Sequence, residues 1–139
     1  MQIRHVIIKV DDQDKALAFY TTVLGFVKTQ DRRGGRMRWL TVSSPRGPKG
    51  VELVLESNAF APARESQQAL YDGGFPAAIL ATNDIAAEYQ RLKRLGVMFR
   101  GKPKKIGSRR FVFFDDTCGN SIVLLQTENL RRPRSTDMR

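Results

Sequence analysis

The chain has 139 residues, 41% of them hydrophobic, with 24 Lys and Arg against 14 Asp and Glu, a formal net charge of +10 and a pI near 10.4. That length supports one sizeable core, and no apolar run reaches the roughly 18 residues a transmembrane helix needs. With no signal-peptide pattern, and a single cysteine that cannot close an internal disulfide, the expectation is a cytoplasmic protein in a reducing compartment.

His5 to Val10 is a β-branched run that reads as a strand. Asp11 and Asp12 follow as N-cap candidates for a helix from about Gln13 to a glycine stop at Gly25. Ala16, Leu17, Tyr20, Val23 and Leu24 recur at helical spacing, so this helix needs a sheet face to cover. Strand candidates follow at 38–42 and 50–55. The segment 58–74 reads as a linker holding a short helix over 64–71. From 77 the plan repeats: a strand over 77–82, the polar cap Asn83-Asp84, a helix with Ile85, Tyr89, Leu92 and Leu95 inward, Gly96, and strands at 110–114 and 121–125. The expected class is therefore α+β, with two tandem βαβββ modules at 1–57 and 75–127. Residues 128–139, rich in arginine and almost devoid of apolar side chains, read as a disordered tail.

The opening His5-x-x-x-x-Val10-x-Asp12 with Lys15-Ala-Leu-Ala-Phe-Tyr20 and Leu24-Gly-Phe26, together with the closing Phe113-Phe-Asp-Asp-Thr-Cys-Gly-Asn-Ser-Ile-Val-Leu-Leu-Gln126, resembles the vicinal oxygen chelate superfamily. This is the group of glyoxalase I, bleomycin-resistance proteins and extradiol dioxygenases. The resemblance covers residues 1 to about 127. It implies paired modules forming a half-barrel around a cavity, usually in a homodimer. It leaves the chemistry open, because isomerases, dioxygenases and non-catalytic binding proteins share the scaffold.

Strand alternation bears on the site. Val6, Ile8 and Val10 in the first strand, and Val51, Leu53 and Leu55 in the fourth, form all-apolar sets that should face the helix. His5 and Glu52 then lie on the opposite, concave face. In metal-dependent members those are the first two ligand positions, so His5 and Glu52 are candidates for a divalent zinc, nickel, iron or manganese site. The two matching positions in the second module are Ala77 and Val123, neither of which can donate an electron pair. His5 is the only histidine. The expected site is thus incomplete, with no tightly bound metal, and a hydrogen-bonded His5–Glu52 pair could orient a ligand or serve as an acid–base couple instead.

On the same alternation the cavity is lined by Ile7, Trp39, Thr41, Val54, Ile79, Phe111 and Phe113. This is an apolar pocket with few polar groups. Two basic segments, 32–38 and 101–110, read as glycine-containing loops at the cavity mouth, with Arg38 and Arg109 as candidate ligand contacts. Their sign favours an anionic small molecule and argues against a cationic antibiotic such as bleomycin. Basic loops also serve solubility alone. Specific nucleic-acid binding is not expected, since no recognition motif accompanies the charge, which leaves only non-specific phosphate attraction. Cys118 lacks a neighbouring histidine and reads as inert.

The expectation is a ligand-binding protein with an incomplete metal site. Its rivals are a metal-dependent lyase or dioxygenase resembling glyoxalase I, with His5 and Glu52 as ligands, and a basic protein associated non-specifically with nucleic acid.

Overall fold

The structure, a computed structural model, describes residues 1–126, so the expectation of a disordered tail over 128–139 lies outside the described residues. The chain runs β1 (His5–Val10), α1 (Gln13–Ala18), a π-helical turn (Phe19–Val23), β2 (Val27–Gly34), β3 (Met37–Ser43) and β4 (Glu52–Ser57). It continues as α2 (Ala61–Asp72), β5 (Ala78–Thr82), α3 (Ile85–Arg94), β6 (Lys104–Ile106), β7 (Arg109–Asp115) and β8 (Ser121–Gln126). Two four-stranded mixed sheets result, in the orders β1-β4-β3-β2 and β5-β8-β7-β6. In each, the first strand runs parallel to the last and the other neighbours are antiparallel. Neither sheet closes into a barrel.

Local chemistry explains the helices. Asp12 accepts a 3.0 Å bond from the Lys15 N–H and caps α1, and Asp84 does the same for α3 through Ala87 N–H. Gly25 leaves the first helical segment at φ +86°, a left-handed turn that a β-carbon would strain. Ala16 and Tyr20 bury as their spacing predicts, and so do Ile85, Tyr89 and Leu92. Leu95 does not. It stands 53% exposed because the chain leaves the helix there and Val97 fills the core instead.

The two modules share one core. Ile8, Val10, Phe19, Tyr20, Leu40, Val42 and Leu55 from the first half pack with Ile85, Leu92, Val112, Phe114, Ile122 and Leu124 from the second. Phe19 and Phe114 meet with ring centroids 6.3 Å apart. A lone module of about 55 residues would bury too little apolar surface for a secure fold, and pooling the helix-side faces supplies the deficit. The linker helix adds a polar tie: Gln67 Nε2 donates to Lys9 O at 3.0 Å and Cys118 O at 3.2 Å, one acceptor in each half.

The basic segments depart from the expectation of loops. Residues 27–34 pair with β3, and 104–106 pair with β7, so both form the arms of β-hairpins. Each is the outer edge of its sheet, where lysine and arginine are tolerated because one side of the strand meets water and charge discourages stray pairing.

Candidate functional site

With the core on one side, the concave sides of the sheets are open. Cross-strand partners share a face, so the strand pairing assigns each side chain. On the first sheet His5 lies beside Glu52, Ile7 beside Val54, and Val54 beside Thr41, with Trp39 two residues along β3. On the second, Ile79 and Phe113 flank Val123, and Phe111 lies beside Leu125. Trp39, Ile7 and Ile79 are exposed, Phe111 and Phe113 half-buried. Thr41 and Val54 share this face but are buried, so they form its floor rather than its contact surface.

A polar cluster interrupts the first face. The Oε1 atom of Glu52 accepts from Gln30 Nε2 at 2.9 Å and lies 3.2 Å from His5 Nε2, while Oε2 accepts from Thr41 Oγ1 at 2.7 Å and from Thr29 Oγ1. The Thr29 and Thr41 hydroxyls, then Gln30 and His5, outweigh partial desolvation and hold the carboxyl at about 2, well below its ordinary value. An ionised carboxylate only accepts, which assigns a proton to His5 Nε2 and leaves Nδ1 for another partner. Trp39 packs edge-on against the imidazole, with centroids 5.2 Å apart at 74°.

Two of these donors, Thr29 and Gln30, were not legible in the sequence. The β2–β3 register slips between Lys28 and Gln30, and this bulge turns both Thr29 and Gln30 toward Glu52. The β-branched start of the segment, Val27-Lys-Thr29, hinted at a strand; nothing local signalled the slip.

The donor set does not fit a divalent metal. Ala77 and Val123 offer no electron pair, and Ser121, which the strand register sets two residues before Val123 as Glu52 stands two before Val54, carries only a neutral hydroxyl; both Glu52 oxygens already accept two hydrogen bonds, and His5 Nε2 is engaged by the carboxylate it would have to flank. Among the described residues no three His, Cys, Asp or Glu side chains converge as a metal-binding group.

Arg38 is a correction. It alternates onto the side opposite Trp39, where Nε and Nη2 form a bidentate pair with Asp31, both at 2.9 Å, and Nη1 meets Asp14 at 2.6 Å. Its guanidinium clasps the hairpin to the start of α1 and is spent there. An open groove of about 310 Å³ beside it, lined by Asp12, Asp14, Arg33 and Arg36 among others, includes neither His5, Glu52 nor Trp39. Arg109, by contrast, alternates onto the same face as Phe111 and Phe113. Cys118 is fully buried, and burial pushes its thiol up to about 12, so it is unreactive at neutral pH.

No helix among the described residues is long and apolar enough to cross a membrane. Comparison with known proteins agrees with the architecture. The Bacillus subtilis (strain 168) protein YurT, itself uncharacterized, is 45% identical over 126 residues, covering 91% of this chain and 99% of that protein. The crystal structure of TnmS3, an antibiotic binding protein from Streptomyces sp. CB03234, matches with a TM-score of 0.72 at 30% identity, covering 91% of this chain and 96% of that one. A lactoylglutathione lyase of Salmonella typhimurium is 26% identical over 136 residues, 95% of this chain and 97% of that protein. Residues 2–124 match the family model itself, and with two such sheets around a shared core the chain belongs to the Glyoxalase/Bleomycin resistance protein/Dioxygenase superfamily.

Proposed function

We propose that this protein binds a small anionic organic molecule with an aromatic or aliphatic body on its concave faces, without a metal, and that it does so as a homodimer. The observation that carries the reading is the contrast across the first face. An exposed Trp39 lies against His5, while the carboxylate where a metal would be ligated is saturated by four protein donors. Such a surface offers apolar contact area and one oriented imidazole, which suits capture of a ligand better than activation of a metal-bound one. The structural likeness to an antibiotic binding protein supports this direction.

The sheet edges support the dimer. The outer edges β2 and β6 carry lysine and arginine, whereas β5 carries no charged side chain and β1, beside His5, only Lys9, which is paired with Glu56. Apolar edges of this kind call for a cover, and a second copy brings the complementary edge.

The competing reading is a metal-dependent lyase, favoured by the Salmonella relative. Elemental analysis of protein purified without chelator or nickel resin separates the two. Less than about a tenth of an ion per chain after incubation with zinc, nickel, iron and manganese is expected, and about one tightly held ion would reject the metal-free reading. Binding itself is read from Trp39, the sole tryptophan, by energy transfer to the neutral dye N-phenyl-1-naphthylamine. Saturable transfer is expected, and its absence would reject a concave-face binding site.

A further inference from the structure

The strand register repeats one side-chain arrangement in both halves. On the first sheet Arg32 of β2 is paired directly with Trp39 of β3. On the second, Lys104 of β6 is paired directly with Phe111 of β7. Directly paired residues share a face, and both Trp39 and Phe111 belong to the concave one. Each concave face therefore ends, at its outer strand, in a cation across from an aromatic ring. The two pairs occupy equivalent places: Thr41, two residues beyond Trp39, pairs with Val54, and Phe113, two residues beyond Phe111, pairs with Val123.

Neither cation is committed elsewhere. Arg32 and Lys104 are exposed and form no ion pair among the described residues, unlike Arg38, which is held by Asp14 and Asp31. Residues 89–114 include no acidic side chain, so nothing along that stretch neutralises Lys104. Adjacent strands lie about 4.8 Å apart. An anionic group one or two bonds from an aromatic ring can thus reach the cation while the ring rests on Trp39 or Phe111.

We infer that Arg32 and Lys104 are the charge-selecting residues of the concave faces, and that the ligand class is a planar aryl acid, a carboxylate, sulfonate or phenolate carried on the ring system itself. This rests on the concave-face binding proposed above and adds to it the residues and the position of the charge. Arg109, which shares a face with Ile106 as its pair, lies one step further out and is a lesser contact.

Two dyes with the same anilinonaphthalene body test the point: 1-anilinonaphthalene-8-sulfonate carries the anion and N-phenyl-1-naphthylamine lacks it. The protein should bind the sulfonate about tenfold more tightly than the neutral dye. Arg32→Gln and Lys104→Gln should each weaken the sulfonate about three- to fivefold, the range for a solvent-facing charge pair, and leave the neutral dye unchanged. Arg46→Gln, an exposed cation elsewhere, should alter neither. Equal affinity for the two dyes, or sulfonate binding indifferent to both substitutions, would overturn the inference while leaving concave-face binding intact. If neither dye binds, concave-face binding fails and the inference falls with it.

Discussion

Tyr20 on the first helical segment donates a 2.7 Å hydrogen bond to the carboxylate of Asp116, which is fully buried in the turn before β8. The same carboxylate accepts from the Cys118 and Asn120 amides and from Asn120 Nδ2. Four donors compensate for the burial, which nevertheless raises the carboxyl above its ordinary value. Removing the Tyr20 hydroxyl leaves a buried acceptor short of one partner at the junction of the two halves. Tyr20→Phe should cost about 1–3 kcal/mol, read as a lower urea midpoint with an unchanged slope. A midpoint equal to the parent's would show that water takes the hydroxyl's place.

Glu52 gives stability a defined dependence on acid. Its folded-state value of about 2 lies below the ordinary 4.5, so between the two the unfolded chain binds the extra proton. The contribution is complete above about pH 4.5 and is lost as pH falls toward 2. Asp116 has the opposite sign, since its raised value favours the folded state at low pH. Glu52→Gln should therefore flatten the fall in stability between about pH 4.5 and 2.5, measured as denaturant midpoints across that range. A variant that tracks the parent in parallel would mean that the Thr29, Gln30 and Thr41 contacts form only weakly in solution.

The Arg38 clasp separates stability from binding. Arg38→Gln removes a bidentate pair and a third contact from a guanidinium that is only 12% exposed, and should cost about 1 kcal/mol in thermal or chemical unfolding. Affinity for 1-anilinonaphthalene-8-sulfonate should stay the same. A loss of affinity without loss of stability would return Arg38 to the ligand site.

Gly119 sits at φ +98°, and a β-carbon there would come within 2.7 Å of Gln67 Nε2. That amide is not free to swing aside, because it is tied to Lys9, Cys118 and Asn120. Gly119→Ala should cost more than the roughly 1 kcal/mol of backbone strain alone. In a Gln67→Ala background the added cost should shrink to that strain, and a double-mutant cycle measures the difference. Additive effects would place Gln67 away from the turn.

The architecture was legible because it rests on periodicity and duplication. The capped helices after β1 and β5, and the apolar alternation at Ile8, Val10 and Leu55, each give the same answer locally and globally, whereas Val6, expected to face the helix with them, stands 49% exposed at the open end of its strand. The two outer strands were not legible, because Arg32, Arg33, Lys104 and Lys105 look like loop residues until a neighbouring strand supplies the hydrogen bonds that make them an edge. His5 and Glu52 were placed correctly on the concave face by alternation. Two partners of Glu52, Thr29 and Gln30, were hidden, because a bulge shifts side chains across a sheet without any local compositional mark. Arg38 was misjudged for a different reason: it was assigned by its charge, although the alternation that sets Trp39 and Thr41 on the concave face sets Arg38 on the other, and its carboxylate partners, Asp14 and Asp31, lie on other elements.

The slip between Lys28 and Gln30 also separates two jobs within one strand. Lys28 pairs with Val42 and Gln30 with Thr41, so the ladder runs on either side of Thr29 without using it. Excising that single residue would join the two halves of the ladder into uninterrupted pairing, yet strip the carboxylate of a hydroxyl. The sheet would be more regular and Glu52 less enclosed. One inserted residue in an outer strand thus supplies one of the four contacts that close the acidic side chain two strands away against whatever enters the concave face.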